Sequence, residues 1–201
     1  MLRRGRALAL AGLASVVLAC VSTVTGQSTP ALAQRRQAIA RVAVAQLGAR
    51  PEEALGSAPV VSRALCDALE KRGVQVIAPD EVARAVADSA PTAGIPELAA
   101  LVNKEFGADA VLLGQITRWE EREGSAAGAT QPAAVGVHLE LYAAPEGVRL
   151  WEGDFDHTQQ PLSENVLLTP RYPGGGTRWL TAEELAEFGA SELGAAVPLT
   201  P

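Results

Sequence analysis

Arg41-Val42-Ala43-Val44-Ala45-Gln46-Leu47, then Val61, Leu65, Ala68 and Leu69 at helical spacing, then Arg72-Gly73 and Val74-Gln75-Val76-Ile77: this stretch decides the fold. The first run is short, apolar and rich in β-branched residues, as a buried strand is. The spaced apolar residues predict one face of a helix, with Arg63, Asp67, Glu70 and Lys71 opposite. Arg72 and Gly73 end that helix with a cation in the last turn and then a glycine. Strand, helix and strand with a short return make a βαβ unit, whose two strands lie parallel in one sheet.

Working toward the carboxyl terminus, Pro79-Asp80 opens a helix expected over residues 81–90, and Pro96 opens the next, with Leu98, Leu101, Val102 and Phe106 on its apolar side. Gly107 stops it. Ala110-Val111-Leu112-Leu113-Gly114-Gln115-Ile116 is apolar on both faces at first, which predicts a central strand that turns polar and emerges over residues 117–123. After a loop expected at 124–132, Val135, Val137, Leu139 and Leu141 alternate with His138, Glu140 and Tyr142. Pro145-Glu146-Gly147 turns the chain back into a partner strand over 148–155. That register sets Leu141 opposite Trp151, Val137 opposite Phe155 and His138 opposite Asp154. A long irregular stretch at 158–177, with three prolines and Gly174-Gly175-Gly176, precedes a last helix. Thr181-Ala182-Glu183-Glu184 is its capping box, and Leu180 with Leu185 its hydrophobic staple. The expected class is α/β: a mixed sheet of about five strands, parallel first and antiparallel last, with flanking helices and a C-terminal helix.

Toward the amino terminus the character changes. Arg3, Arg4 and Arg6 precede an uncharged apolar run at 7–19, the form of a secretory signal. At 1.5 Å per residue the run rises about 20 Å, too little for roughly 30 Å of hydrocarbon. Two cleavage sites compete. Val17-Leu18-Ala19-Cys20 resembles a lipobox, which implies a signal peptide at 1–19 and a diacylated Cys20; Ala31-Leu32-Ala33 suits ordinary signal peptidase and would release a soluble periplasmic protein. Cys20 at the end of the apolar core favours the lipobox. Val21 and Ser22, in place of an Asp, match lipoproteins sorted to the outer membrane, facing the periplasm. Residues 20–37, rich in Ser, Thr, Gln and Ala, are expected to be a flexible tether, and 38–201 a single domain.

The formal net charge is −6, and the three signal arginines leave with the signal, so nucleic acid is not expected as a partner. Besides Cys20 there is only Cys66, beside Leu65 in a helix, which is expected to be a buried thiol and not a nucleophile. His138 with Asp154 forms a cross-strand pair more in keeping with a solvated contact than a catalytic couple. His157 stands near Asp154 and Asp156, but alternate strand residues face opposite sides, so no metal site is expected. The glycine run lacks the following Lys-Ser/Thr of a phosphate loop, and no cofactor motif is present. Trp119, Tyr142, Arg171, Tyr172 and Trp179 are the candidate partner surface, aromatic and arginine residues in segments expected at the sheet end or in loops.

Gly107-Ala108-Asp109-Ala110-Val111-Leu112-Leu113-Gly114 before a strand, a preceding βαβ unit, and a hairpin closing on Leu150-Trp151-Glu152-Gly153-Asp154-Phe155-Asp156 resemble the amino-terminal domain of TolB and the envelope lipoproteins of the CsgG and LpoB kind. The resemblance spans roughly residues 41–156. It implies a two- or three-layer α/β domain serving in the periplasm as a non-catalytic adaptor or assembly factor, with another envelope protein as partner. The long membrane hairpins of a CsgG pore have no counterpart in the sequence. The competing expectation is a soluble protein that binds a small ligand beneath the 158–177 loop.

Overall fold

A computed structural model describes residues 23–35, 38–50, 52–89, 94–161 and 171–199. Cys20 and the signal lie outside them, as does 162–170 of the long loop. The elements are β1 (Val24–Ser28), α1 (Pro30–Gln34), β2 (Arg41–Val44), β3 (Gly48–Ala49), α2 (Ala58–Glu70), β4 (Gln75–Ile77), α3 (Pro79–Ser89), α4 (Ile95–Phe106), β5 (Ala110–Glu120), β6 (Glu123–Ser125), β7 (Gly128–Gln131), β8 (Ala134–Ala143), β9 (Arg149–Thr158) and α5 (Ala182–Ala196). The main sheet runs β1-β9-β8-β5-β2-β4, with β3 on the far part of β5, and β6 and β7 form a separate ribbon.

The βαβ unit is present, β2 and β4 pairing parallel with Val42 opposite Val76, and β2 and β5 also parallel. β5, β8 and β9 then pair antiparallel. The mixed α/β class therefore holds, while the main sheet has seven strands where about five were expected. The additions are β1, inside the stretch expected to be a tether, and β3, in a stretch expected to be loop. Both lack apolar periodicity of their own and form because an established strand offers them an open edge. The 124–132 loop likewise carries the β6–β7 ribbon.

Two apolar layers cover the sheet. Val42, Val44, Leu112, Ile116 and the inward residues of β8 pack beneath α2 and α5. Ala43, Ile77 and Val111 face the other way, under α3 and α4. The domain is thus three-layered over its parallel half. Helices α2 and α5 run side by side and approach closely: a Cβ on Gly194 would lie 2.6 Å from that of Ala68. Gly107 caps α4 in the left-handed region at φ 63°, as expected of a glycine stop. Asp109 follows, and its carboxylate accepts from the backbone N–H groups of Ala40 and Arg41 at 3.0 and 2.9 Å, aligning the starts of β2 and β5. No helix of the described residues is long and apolar enough to cross a membrane.

Candidate functional site

The sheet's antiparallel half has unlike faces. Inward, Val137 lies opposite Phe155 and Leu141 opposite Trp151, as the alternation predicts. The indole of Trp151 lies flat along the sheet: a Cβ on Gly153 would meet it at 2.3 Å, and one on Gly26 of β1 at 2.9 Å. These glycines clear a bed for the ring, and Leu32 of α1 is buried in the same cluster, leaving Trp151 3% exposed. The amino-terminal segment is therefore part of the core. Its register is complete, from Val24 opposite Phe155 to Ser28 opposite Trp151, and Thr29 adds a backbone bond to Leu150 O at 2.8 Å.

Outward, the same strands carry a charged network. His138 Nδ1 lies 2.7 Å from Asp154 Oδ1, the predicted cross-strand pair. Arg149 Nη1 donates to Glu140 at 2.9 Å and lies 2.8 Å from Glu152. Arg118 bridges Glu120 and Asp156. His138, Glu140 and Glu152 bring ligand-type atoms within 4.8 Å of one another, a grouping the sequence argument passed over although the predicted register contains it. Arg149 already sits between the two carboxylates, so the chain neutralises them with its own cation. No hydrogen bond joins His138 to a Ser, Thr or Cys among the described residues. His157 points inward, away from Asp154 and Asp156 as strand alternation requires. Its Nε2 meets the hydroxyl of Tyr172, and burial holds its pKa below the usual imidazole value. Cys66 is buried, and burial together with Glu70 and Asp67 pushes its thiol up to about 11, far from an activated thiolate.

The candidate partner residues do not form one surface. Tyr142 is 8% exposed and belongs to the layer under α3 and α4. Tyr172 is 3% exposed and stacks edge-on against Phe188, so it anchors its loop into the core, and burial pushes its hydroxyl up to about 12. Both are corrections to the sequence expectation: Tyr142 keeps the face of Glu140, as alternation predicts, but the α3–α4 layer covers that face there, and Tyr172 turns its ring into the core. Trp119 and Trp179 are half-buried. Trp179 receives the Arg122 guanidinium on its carbonyl and donates its backbone N–H to Ala126 O at 2.9 Å, joining the β6–β7 ribbon to the start of α5. Arg171 is exposed and paired with Glu192.

A groove of about 510 Å³ runs between α2 and α5, lined by Arg63 and Asp67 from α2, Lys71 just past its end, Glu187 and Glu192 from α5, and Arg171. Sequence reasoning missed it, because its two walls lie more than a hundred residues apart in the chain.

No family model and no curated protein matches the chain. Among solved structures it is similar to the lipoprotein GNA1162 of Neisseria meningitidis, at 19% identity and a TM-score of 0.46, covering 60% of this chain and 81% of that one. The C-terminal domain of LpoB from Escherichia coli matches at 17% identity and a TM-score of 0.44, over 65% and 94% of the two chains. PelC from Paraburkholderia phytofirmans matches at 20% identity and a TM-score of 0.41, over 83% and 97%. At these identities the likeness concerns the fold.

Proposed function

We infer that this chain is a lipid-anchored protein of the bacterial cell envelope that works by protein contact, as a non-catalytic adaptor or assembly factor. The observation that carries the reading is the place of β1 and α1 in the fold. A cut after Ala33 would remove all of β1, nearly all of α1 and the cover of Trp151. A cut before Cys20 leaves every one of these contacts intact. The lipobox-like site is thus compatible with the folded domain, whereas the competing site amputates it. Val24 follows Cys20 by four residue steps, so the chain between them reaches at most about 14 Å. An acylated Cys20 then holds the domain against the membrane instead of on a long leash, with the outer membrane the expected address.

Contact function is supported by the state of the polar groups. Glu140, Glu152 and Asp156 are paired with arginines of their own chain, and His138 with Asp154, so this face is a network neutralised from within. Trp119, Trp179 and Arg171 remain as half-buried or exposed anchors for a protein partner. The test has two readouts. The intact mass of the amino-terminal peptide from the membrane fraction is expected to show acylated Cys20 in the wild type and none in Cys20→Ala. Photo-crosslinking from position 179 is expected to give one discrete envelope adduct that is absent from position 85 on α3. An unmodified chain beginning at Gln34 overturns the anchor, and the absence of any adduct that depends on position overturns the adaptor.

A further inference from the structure

The groove between α2 and α5 has two features that belong together. Its lining carries three cations, Arg63, Lys71 and Arg171, and three carboxylates, Asp67, Glu187 and Glu192. Of these, Arg171 and Glu192 pair with each other, while Arg63, Lys71, Asp67 and Glu187 have no ion pair among the described residues. A simple anion would meet the carboxylates and a simple cation the guanidinium groups. A ligand bearing both signs a few ångströms apart answers both sets. Glu187 gives this a physical edge. Burial and the neighbouring Glu183 and Glu184 raise its pKa above the usual carboxylate range, a cost that an incoming ammonium relieves.

The second feature is position. The Thr23 hydroxyl donates to Glu192 in the groove wall at 3.4 Å. Three residues from Thr23 back to Cys20 reach at most about 11 Å. If Cys20 carries the acyl chains, this end of the groove lies at the depth of the lipid headgroups.

We propose that the α2–α5 groove is a headgroup site for a zwitterionic aminophospholipid, its phosphate held by the unpaired Arg63 and Lys71 and its ammonium by Glu187 and Asp67. The proposal rests on the anchor reading for its position and on the groove for its chemistry. In this arrangement the protein-bound acyl chains hold the domain at the membrane, and the groove fixes which side faces it. Helix α5 is then oriented at the bilayer surface, and the outward sheet face and the β6–β7 ribbon keep a defined direction for a partner.

The experiment uses the full chain with Cys20→Ser, which takes no acyl group, and dihexanoyl phosphatidylethanolamine below its micelle concentration, followed by NMR. Saturable shifts confined to the facing sides of α2 and α5 are expected, with about fivefold tighter binding than for phosphatidylglycerol of the same chain length. Glu187→Gln is expected to abolish that preference. Arg63→Ala with Lys71→Ala should weaken both lipids by about fivefold, with an unchanged circular dichroism spectrum showing the fold intact. Equal affinity for the two lipids, an equally strong response to inorganic phosphate, or no saturable shift overturns the proposal. The outcome is separable from the anchor, which is read by mass: acylated Cys20 without lipid binding sinks the groove alone, and binding by a chain processed at Gln34 sinks the anchor alone.

Discussion

Gly189 shows how a single position holds the helix layer to the sheet. It lies on the inner side of α5, where a Cβ would sit 2.5 Å from the ring of Phe155. That is closer than real Cβ contacts come, so the helix must lift or the ring must turn. Gly189→Ala is accordingly expected to cost about 1–3 kcal/mol despite the better helix propensity of alanine, read as a fall in the denaturant midpoint. An unchanged or raised midpoint would show that α5 rides higher over the sheet than described. The sequence presents Gly189 as a weak point within a helix, because its reason for being glycine lies 34 positions away on β9. The same blindness explains Gly26 and Gly153, whose shared purpose is the indole of Trp151. In contrast, His138 opposite Asp154 was legible, since strand alternation and a short turn fix both residues locally. Tyr142 and Tyr172 were not, since nothing in their immediate neighbourhood states which apolar layer is nearby.

Element by element, the strongest local grammar held. The capping box of α5 is complete: the Thr181 side chain accepts from the Glu184 N–H at 3.2 Å, and Glu184 accepts from the Thr181 N–H at 3.0 Å. Thr181→Ala is expected to destabilise the domain by about 1 kcal/mol. Glu184 has a second partner, Arg178, at 2.7 Å, and that bond does most to lower its pKa to about 2. A carboxylate whose folded pKa lies below its unfolded value stabilises the fold fully above the unfolded pKa, near the usual 4.5, and ceases to do so as pH falls through the folded one. Stability is therefore expected to fall between about pH 5 and pH 2, with Glu184→Gln flattening that part of the curve. Because both partners are partly exposed, solvent screening limits the share of this pair to less than about 1 kcal/mol. A wild type and variant with parallel acid profiles would rule the pair out as a contributor. β1 is the opposite case: Val24-Thr25-Gly26-Gln27-Ser28 has no strand periodicity and sits in a Ser/Thr/Gln-rich stretch, so composition points to a tether. It becomes a strand because β9 offers five backbone partners and a large ring to cover, and both are supplied by tertiary structure.

At the scale of the whole molecule, that strand joins export to folding. β1 and β4 end the strand order of the sheet, and β1 is the one nearer in sequence to the proposed anchor. A chain beginning at Gln34 loses β1 and most of α1, which strips the outer edge of β9 and uncovers Trp151. The indole is large, and about 25 cal/mol per Å² of newly wetted apolar surface, together with the lost ladder bonds, amounts to several kcal/mol. The freed edge of β9 also becomes a template for pairing between copies. The truncated chain is thus expected to melt well below the chain beginning at Val21, to emit at longer tryptophan wavelengths, and to self-associate as its concentration rises. Trp151→Phe introduced into both chains assigns the optical change, because the shift in emission between them should then disappear while the difference in melting remains. If the two chains melt together and emit alike, β1 is dispensable, cleavage at Ala33 becomes tolerable to the fold, and the structural case for an anchor at Cys20 falls with it. If they differ as expected, the segment beside the signal carries two duties at once: closing the sheet, and limiting how far the folded domain can stand from the membrane.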